Sequence, residues 1–372
     1  MKRTSFRTVV VPTAAALALG LGLSACGAAN EAPSANGDSS NAASSKLSGT
    51  LNGAGSSAQE AAQGAWTAGF QSSNPDVTVN YDPVGSGGGR EQFLGGGVQF
   101  AGSDSYLADD ELASSKKVCN GETAFEVPDY ISPVALVYNL GGVDNLQLSA
   151  KTAAGIFSGK ITTWDDPAIK ADNPGAKLPG DKISPVHRSD ESGTTDNFTQ
   201  WLSAAGEGAW TAEPDSVFPV KGGEGAQGTS GVIDAVKNGK GTIGYADESQ
   251  AGDLSVAKIK VGNAYVAPSA EGAAKVVDIS KPVSGRSTTD LAVDVNRTTT
   301  EAGAYPLVLV SYLIGCPSYK DQATADLVKG YLSYIVSGEG QQAAAKTAGS
   351  APLSSTFSDK ATAVVEKIKA AS

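Results

Sequence analysis

Apolar residues in this chain gather into short runs separated by glycine, proline and small polar residues, and the runs follow two periods. The stretch "VTVNYDPV", residues 77–84, alternates apolar and polar positions and stops at a glycine, as a half-buried strand does. "PVALVYNL", residues 133–140, is almost continuously apolar, the pattern of a strand covered on both faces. Strands are also predicted at 182–187, 241–247 and 305–314. Near the C-terminus, "SDKATAVVEKIKAAS" sets Ala361, Val364, Val365 and Ile368 on one stripe of a helix, with Ser358 as its expected cap. Alternating strand-like and helix-like stretches predict an α/β fold with a mostly parallel sheet. From Leu47 to Ser372 the chain is long enough for two lobes of ordinary domain size, and no internal repeat is visible.

The N-terminus stands apart. Lys2, Arg3 and Arg7 precede an apolar run over residues 9–23 that ends in "LSAC", the architecture of a signal peptide over residues 1–25. A membrane anchor is the alternative, but a span needs about 20 apolar residues and this run is broken by Pro12, Gly20 and Gly22. The small residues before Cys26 resemble a bacterial lipobox, which implies cleavage before Cys26 and a diacylglyceryl anchor on its sulfur. Residues 26–47 are almost wholly small and polar and read as a flexible tether.

Removing Lys2, Arg3 and Arg7 takes the formal net charge from −11 to −14. A chain so acidic repels phosphate backbones at long range, which argues against nucleic acid as a partner. Two further cysteines, Cys119 and Cys316, are expected to form one disulfide in an oxidising compartment, two separate buried thiols being the alternative. With a single histidine, a zinc site is poorly supplied and no metal or cofactor is expected.

Four turns carry candidate chemistry. In "GAGSSAQE", Ser57 and Glu60 have capping-box spacing ahead of a helix bearing Ala62, Trp66 and Phe70; a capping serine is usually only a cap, although a helix start is also an anion site. In "VGSGGGREQF", Ser86 and three glycines open a helix with neither the lysine of a P-loop nor the third glycine of a dinucleotide fingerprint. Asp104 follows a short apolar strand, at the end where open α/β sheets place ligand groups, or else forms a local turn. In "HRSDESGTTDNF", a strand ends at Arg188 and a helix begins at Ser192-Gly193-Thr194. A guanidinium beside a helix N-terminus with hydroxyls suits a tetrahedral oxyanion, the plain alternative being a structural ion pair of Arg188 with Asp190.

Taken in order, "GAGSSAQ", "NYDPVGSGGGREQF", "FAGSD", "HRSDESGTTDNF" and "GTIGYADES" resemble the substrate-binding lipoprotein of the phosphate-specific ABC transporter, from about Leu47 to the C-terminus. The resemblance implies a two-lobed periplasmic-binding-protein fold of the second structural type, with inorganic phosphate in the interlobe cleft. Residues 48–130 with 300–372 would form the first lobe, which would also hold the Cys119–Cys316 bridge, and 131–299 the second. Carried over by position, the phosphate ligands would be Ser57, the N–H of Ala58, Ser86, Asp104, Arg188, Ser192, the N–H of Gly193, and Thr194, with Asp190 pairing Arg188. Ala58 stands where many relatives carry an aromatic residue. Glu191 stands where small residues are common; it is expected to point to solvent, since facing into the cleft it would oppose an anion.

The implied protein is a monomer, exported and held at the outer face of the cell membrane by the lipid on Cys26. Its implied partners are the transporter's permease subunits and, through them, an ATPase. Two other readings remain: an extracellular phosphate-ester hydrolase using Ser192 and His187, and a surface scaffold lipoprotein. The first lacks the G-x-S-x-G elbow and would rest on one histidine, and the second leaves four anion-suited turns without a purpose.

Overall fold

A computed structural model describes residues 46–371; the predicted signal peptide, Cys26 and nearly all of the tether lie outside the described residues. One sheet runs through the described chain. Its first half holds strands Val77–Asp82, Gly49–Gly55 and Phe100–Ser103 in parallel, then Val308–Gly315 antiparallel to them. The second half holds Thr242–Asp247, Ser184–Arg188 and Glu224–Ala226, again parallel to one another.

The strand Phe125–Asn139 joins the halves. Its first part, up to Pro133, pairs antiparallel with Val308–Gly315, and its last part, from Val134, pairs antiparallel with Thr242–Asp247. The expectation of a mostly parallel sheet is therefore corrected to a mixed one. Crossover helices build the parallel ladders on either side, but the two strands at the centre run against their neighbours.

That central strand is longer than the predicted 133–140, because Glu126, Pro128 and Asp129 interrupt its apolar pattern. The ladder shifts register between Ser311 and Tyr312, where Tyr130 and Pro128 are the partners and Asp129 is left over as a bulge. The predicted strand at 305–314 begins only at Val308, past Pro306, which has no N–H for a ladder.

Side chains from the crossover helices cover the sheet. Trp66 and Phe70, on the helix Glu60–Ser73, pack toward the first half with Phe100 and Tyr331, and the Trp66 indole N–H is satisfied by the Gly340 carbonyl at 2.8 Å. On the second half the Phe198 ring stacks on Tyr245 with centroids 4.2 Å apart. The segment after the second half folds back. Ala273, Val276 and Val277 share an apolar cluster with Ile131, Val308 and Tyr312, and Arg286 lies 3.1 Å from Asp290 and 3.7 Å from the buried Glu126.

The C-terminal helix spans Ser355–Val365, and Ala361, Val364, Val365 and Ile368 are buried as the stripe predicts. Its cap is Ser354, which accepts from the Phe357 N–H, not Ser358. Ser358 lies within the first turns and donates to the Val336 carbonyl at 3.1 Å, because a serine one turn earlier already caps the helix. Cys119 and Cys316 are bonded, 197 positions apart in sequence. Among the described residues no helix is long and apolar enough to cross a membrane.

Candidate functional site

Three helix starts and two strand ends meet at the seam between the halves of the sheet. From the first half come Ser57 and Ala58 ahead of the helix Glu60–Ser73, Ser86 at the head of the helix Ser86–Leu94, and Asp104 just past Phe100–Ser103. From the second half come Arg188 at the end of its strand and Ser192, Gly193 and Thr194 at the head of the helix Gly193–Ala205. All of these residues are buried. Helix starts present unpaired N–H groups and the positive end of the helix dipole, so their convergence favours an anion even within an acidic protein.

Asp104 is the centre of the contacts across the seam. Its carboxylate accepts from the Ser311 hydroxyl and from Thr194 Oγ1 at 3.3 Å, while its backbone N–H donates to Ser86 Oγ at 3.1 Å. Asn197 Nδ2 donates to the carbonyls of Asp104 and Gly193, both at 2.8 Å, and so ties the two halves together. Burial raises the Asp104 pKa above the ordinary aspartate value, and the hydroxyls of Ser311 and Ser56 and the Arg188 charge pull it back only in part. At Gly193 the halves approach so closely that a Cβ would lie 2.5 Å from Ser86 Oγ and 2.7 Å from Asp104 Cβ, a contact only glycine allows.

Arg188 is held from two sides. Its Nε donates to Asp190 at 2.7 Å and its Nη2 pairs with the other carboxylate oxygen, while its backbone N–H donates to the Tyr245 hydroxyl at 3.2 Å. Burial opposes the charged form of Asp190, but the hydrogen bonds and charge of Arg188 and the Gly228 N–H outweigh it, so the carboxyl lies below the ordinary range. Burial pushes the Tyr245 hydroxyl up to about 12. It therefore keeps its proton and can bond Thr195 Oγ1, 2.7 Å away. The ion pair offered by the sequence as the plain alternative is present: Asp190 takes one edge of the guanidinium and fixes its orientation.

One expectation needs correction and another needs an addition. Ser57 and Glu60 form no capping box: the helix is capped at Gln59 without a side-chain bond, and Ser57 Oγ meets Thr229 of the opposite half. Ser57 is drawn away because an acceptor there completes the start of the facing helix. Glu191 is exposed, as expected, and is paired as well. Its side chain is 48 % exposed and reaches back over Gly87 to Arg90, 3.1 Å away, and its carbonyl accepts from the Gly87 N–H at 3.1 Å. A Cβ at Gly87 would collide with that side chain. Glu191 is thus a paired residue at the rim, sharing the Arg90 guanidinium with Glu111.

Other placements follow the chain locally. Ser192 caps its helix, accepting from the Thr195 N–H at 3.2 Å, and the Ala58 N–H is turned to Ser56 Oγ at 3.1 Å. His187 Nδ1 lies 2.8 Å from the Arg188 carbonyl, and the ring stacks on Phe218 at 4.3 Å. Ser311, Asn197, Thr229 and Arg90 were not singled out in the sequence. Asn197 and Arg90 fall within the quoted motifs without a role being read for them, Ser311 shows as a lone hydroxyl within the apolar run "YPLVLVSYLI", and Thr229 carries no such signal. A groove of about 520 Å³ bordered by Gln200, Ile279 and Lys281 shows no comparable convergence of donors.

Comparisons with known proteins identify the family. A family model described as a PBP superfamily domain matches residues 40–339. Phosphate-binding protein PstS 3 of Mycobacterium leprae is 37% identical, with 87% of this chain and 89% of that protein aligned. The protein of the same name from Mycobacterium tuberculosis is 37% identical over 86% of each chain. Among solved structures, a high-affinity periplasmic phosphate-binding protein with phosphate bound superposes with a TM-score of 0.69 at 25% identity, covering 85% of this chain and 93% of that one. Fold, order of site elements and sequence similarity converge: the chain belongs to the PBP superfamily, in the branch of the PstS phosphate-binding proteins.

Proposed function

We propose that the protein captures inorganic phosphate in the cleft between its two lobes and delivers it to the permease subunits of an ABC transporter, whose ATPase drives import. The observation that carries this reading is the pairing of opposites around one point. An oriented guanidinium and several hydroxyls and helix-start N–H groups face the same seam as the buried acceptor Asp104. Donors suit the unprotonated oxygens of a phosphate, and a carboxylate suits the proton that hydrogen phosphate still carries. Ser57, Ser86, Asp104, Arg188, Ser192, Gly193 N–H and Thr194 are the proposed ligands, with Asp190 orienting Arg188; the Ala58 N–H, which donates to Ser56 Oγ at 3.1 Å, joins them by leaving that partner.

The proposed lobes are residues 48–130 with 300–372, and 131–299, with the stretch from Ala270 to Val293 packing back onto Val308 and Tyr312 of the first lobe. The chain is exported as a monomer and anchored to the outer face of the membrane through lipid on Cys26. It acts by binding, without a cofactor. The engagement of His187 with the Arg188 carbonyl and the Phe218 ring supports binding over ester hydrolysis.

Equilibrium dialysis of residues 46–372 against labelled phosphate tests the reading. Saturable binding displaced by unlabelled phosphate is expected. Its absence rejects the proposal, and turnover of a chromogenic phosphate ester would favour the hydrolase.

A further inference from the structure

The helix Gly228–Asn238 begins against the site from the second half of the sheet, and its N-cap residue Gln227 makes no side-chain cap. Its first two N–H groups are satisfied by site residues. Gly228 N–H donates to Asp190 Oδ1 at 3.0 Å, and Thr229 N–H donates to Ser57 Oγ at 3.1 Å. Thr229 Oγ1 lies 3.0 Å from the same Ser57 oxygen, and both residues are buried. The Ser57 carbonyl is held as well, by Gln250 Nε2 at 2.8 Å.

A serine hydroxyl has one proton to give and two lone pairs to fill. The Thr229 N–H occupies one lone pair of Ser57 Oγ. If the Thr229 hydroxyl donates into the other, Ser57 can only be a donor, and its proton is left for a third partner. A free hydroxyl turns to suit whatever faces it; one with both acceptor positions filled has a fixed sense. Fixed donors are what an anion site needs, because they require no reorientation when the anion arrives.

We propose that Thr229 is a positioning residue that sets Ser57 as an obligate hydrogen-bond donor to the bound oxyanion. Because Ser57 and Thr229 belong to opposite halves of the sheet, the donor is set when the halves meet. The proposal rests on the reading of Ser57 as a phosphate ligand.

The test is isothermal calorimetry with inorganic phosphate on the wild type, Thr229→Val, Thr229→Ser, Ser57→Ala and the double variant Ser57→Ala/Thr229→Val. Valine keeps the shape and the backbone N–H of threonine and removes only the hydroxyl. Thr229→Val should weaken phosphate binding about tenfold, the size of one net hydrogen bond, and Thr229→Ser should restore it to within about threefold. In the Ser57→Ala background the valine substitution should have no further effect, a coupling that a purely structural role for Thr229 would not produce. Thr229→Ala replaces the valine variant if thermal melts show that the latter is unfolded. Additive losses, or a valine variant with unchanged affinity, overturn the proposal. If Ser57→Ala binds as the wild type does, the ligand role of Ser57 fails and Thr229 with it. A wild type without phosphate binding overturns the functional reading itself.

Discussion

The Glu191 carboxylate lies 3.1 Å from the guanidinium of Arg90, and the same guanidinium lies 2.9 Å from Glu111. Arg90 belongs to the first half of the sheet and Glu191 to the second, so this pair crosses the seam at the rim of the site. Together with the Gly87 N–H on the Glu191 carbonyl it forms a latch that holds only while the halves are together.

A half-exposed ion pair contributes about 0–1 kcal/mol. Glu191→Ala is therefore expected to raise the phosphate dissociation rate by no more than about fivefold, with little change in association. Stopped-flow displacement would read this, and the effect should fade at high salt. An unchanged dissociation rate would leave the latch without a role in retention.

Asp104 should discriminate between oxyanions. An ionised carboxylate only accepts, so it can meet hydrogen phosphate through that ion's proton but can only oppose sulfate, which has none at neutral pH. Opposed buried partners cost some 1–3 kcal/mol, and more when charged, so a preference for phosphate of about a hundredfold or more is expected. Asp104→Asn supplies a donor and should narrow that ratio by about tenfold or more. Competition calorimetry with both anions decides it, and a ratio that the substitution leaves alone would assign selectivity elsewhere.

Arg188→Lys keeps the charge and loses the fork of parallel donors that grips Asp190. Phosphate binding should weaken by about tenfold or more, because charge-assisted bonds contribute about 1.5–3 kcal/mol each. Titration calorimetry showing unchanged affinity would remove Arg188 from the site.

Asp247 should make stability depend on pH. Burial pushes its carboxyl up to about 7, against the hydrogen bonds it accepts from Ser249 and Tyr130. An unfolded aspartate titrates near 3.9, so between about pH 4 and 7 the folded protein keeps a proton that the unfolded chain has lost. The contribution is full below about pH 4 and is lost as pH rises through about 7, an interval of about 4 kcal/mol at 1.36 kcal/mol per unit. Asp247→Asn cannot titrate, so its unfolding free energy should gain on that of the wild type as pH is raised from 4.5 to 7.5. Urea melts across the range would show a constant difference if Asp247 is uninvolved.

Period and turn chemistry made much of the fold legible, and buried polar residues hid the rest. Residues 133–140 read as a strand because they are apolar, yet the same strand begins at Phe125, where Glu126 and Asp129 are buried among tertiary partners that no local pattern displays. The site divides in the same way. Arg188, Asp190, Ser192 and Thr194 are neighbours in sequence and announce themselves together, and family resemblance supplies Ser57, Ser86 and Asp104. Thr229 is an ordinary residue in ordinary surroundings, and neither the motif that contains Asn197 nor the apolar run that contains Ser311 says what those two side chains meet. Each acquires meaning only when folding sets it against a partner up to 207 positions away, as Ser311 is from Asp104.

The bond between Cys119 and Cys316 closes the intervening chain into a covalent ring. The whole second half of the sheet, both central strands and the Arg188 turn lie on that ring, while Ser57, Ser86 and Asp104 lie on the chain outside it. One peptide-bond cut anywhere in the ring opens it without dividing the molecule. A nicked protein would keep every proposed ligand in a single particle, and on a gel it would part from the intact one into two fragments only after thiols are added.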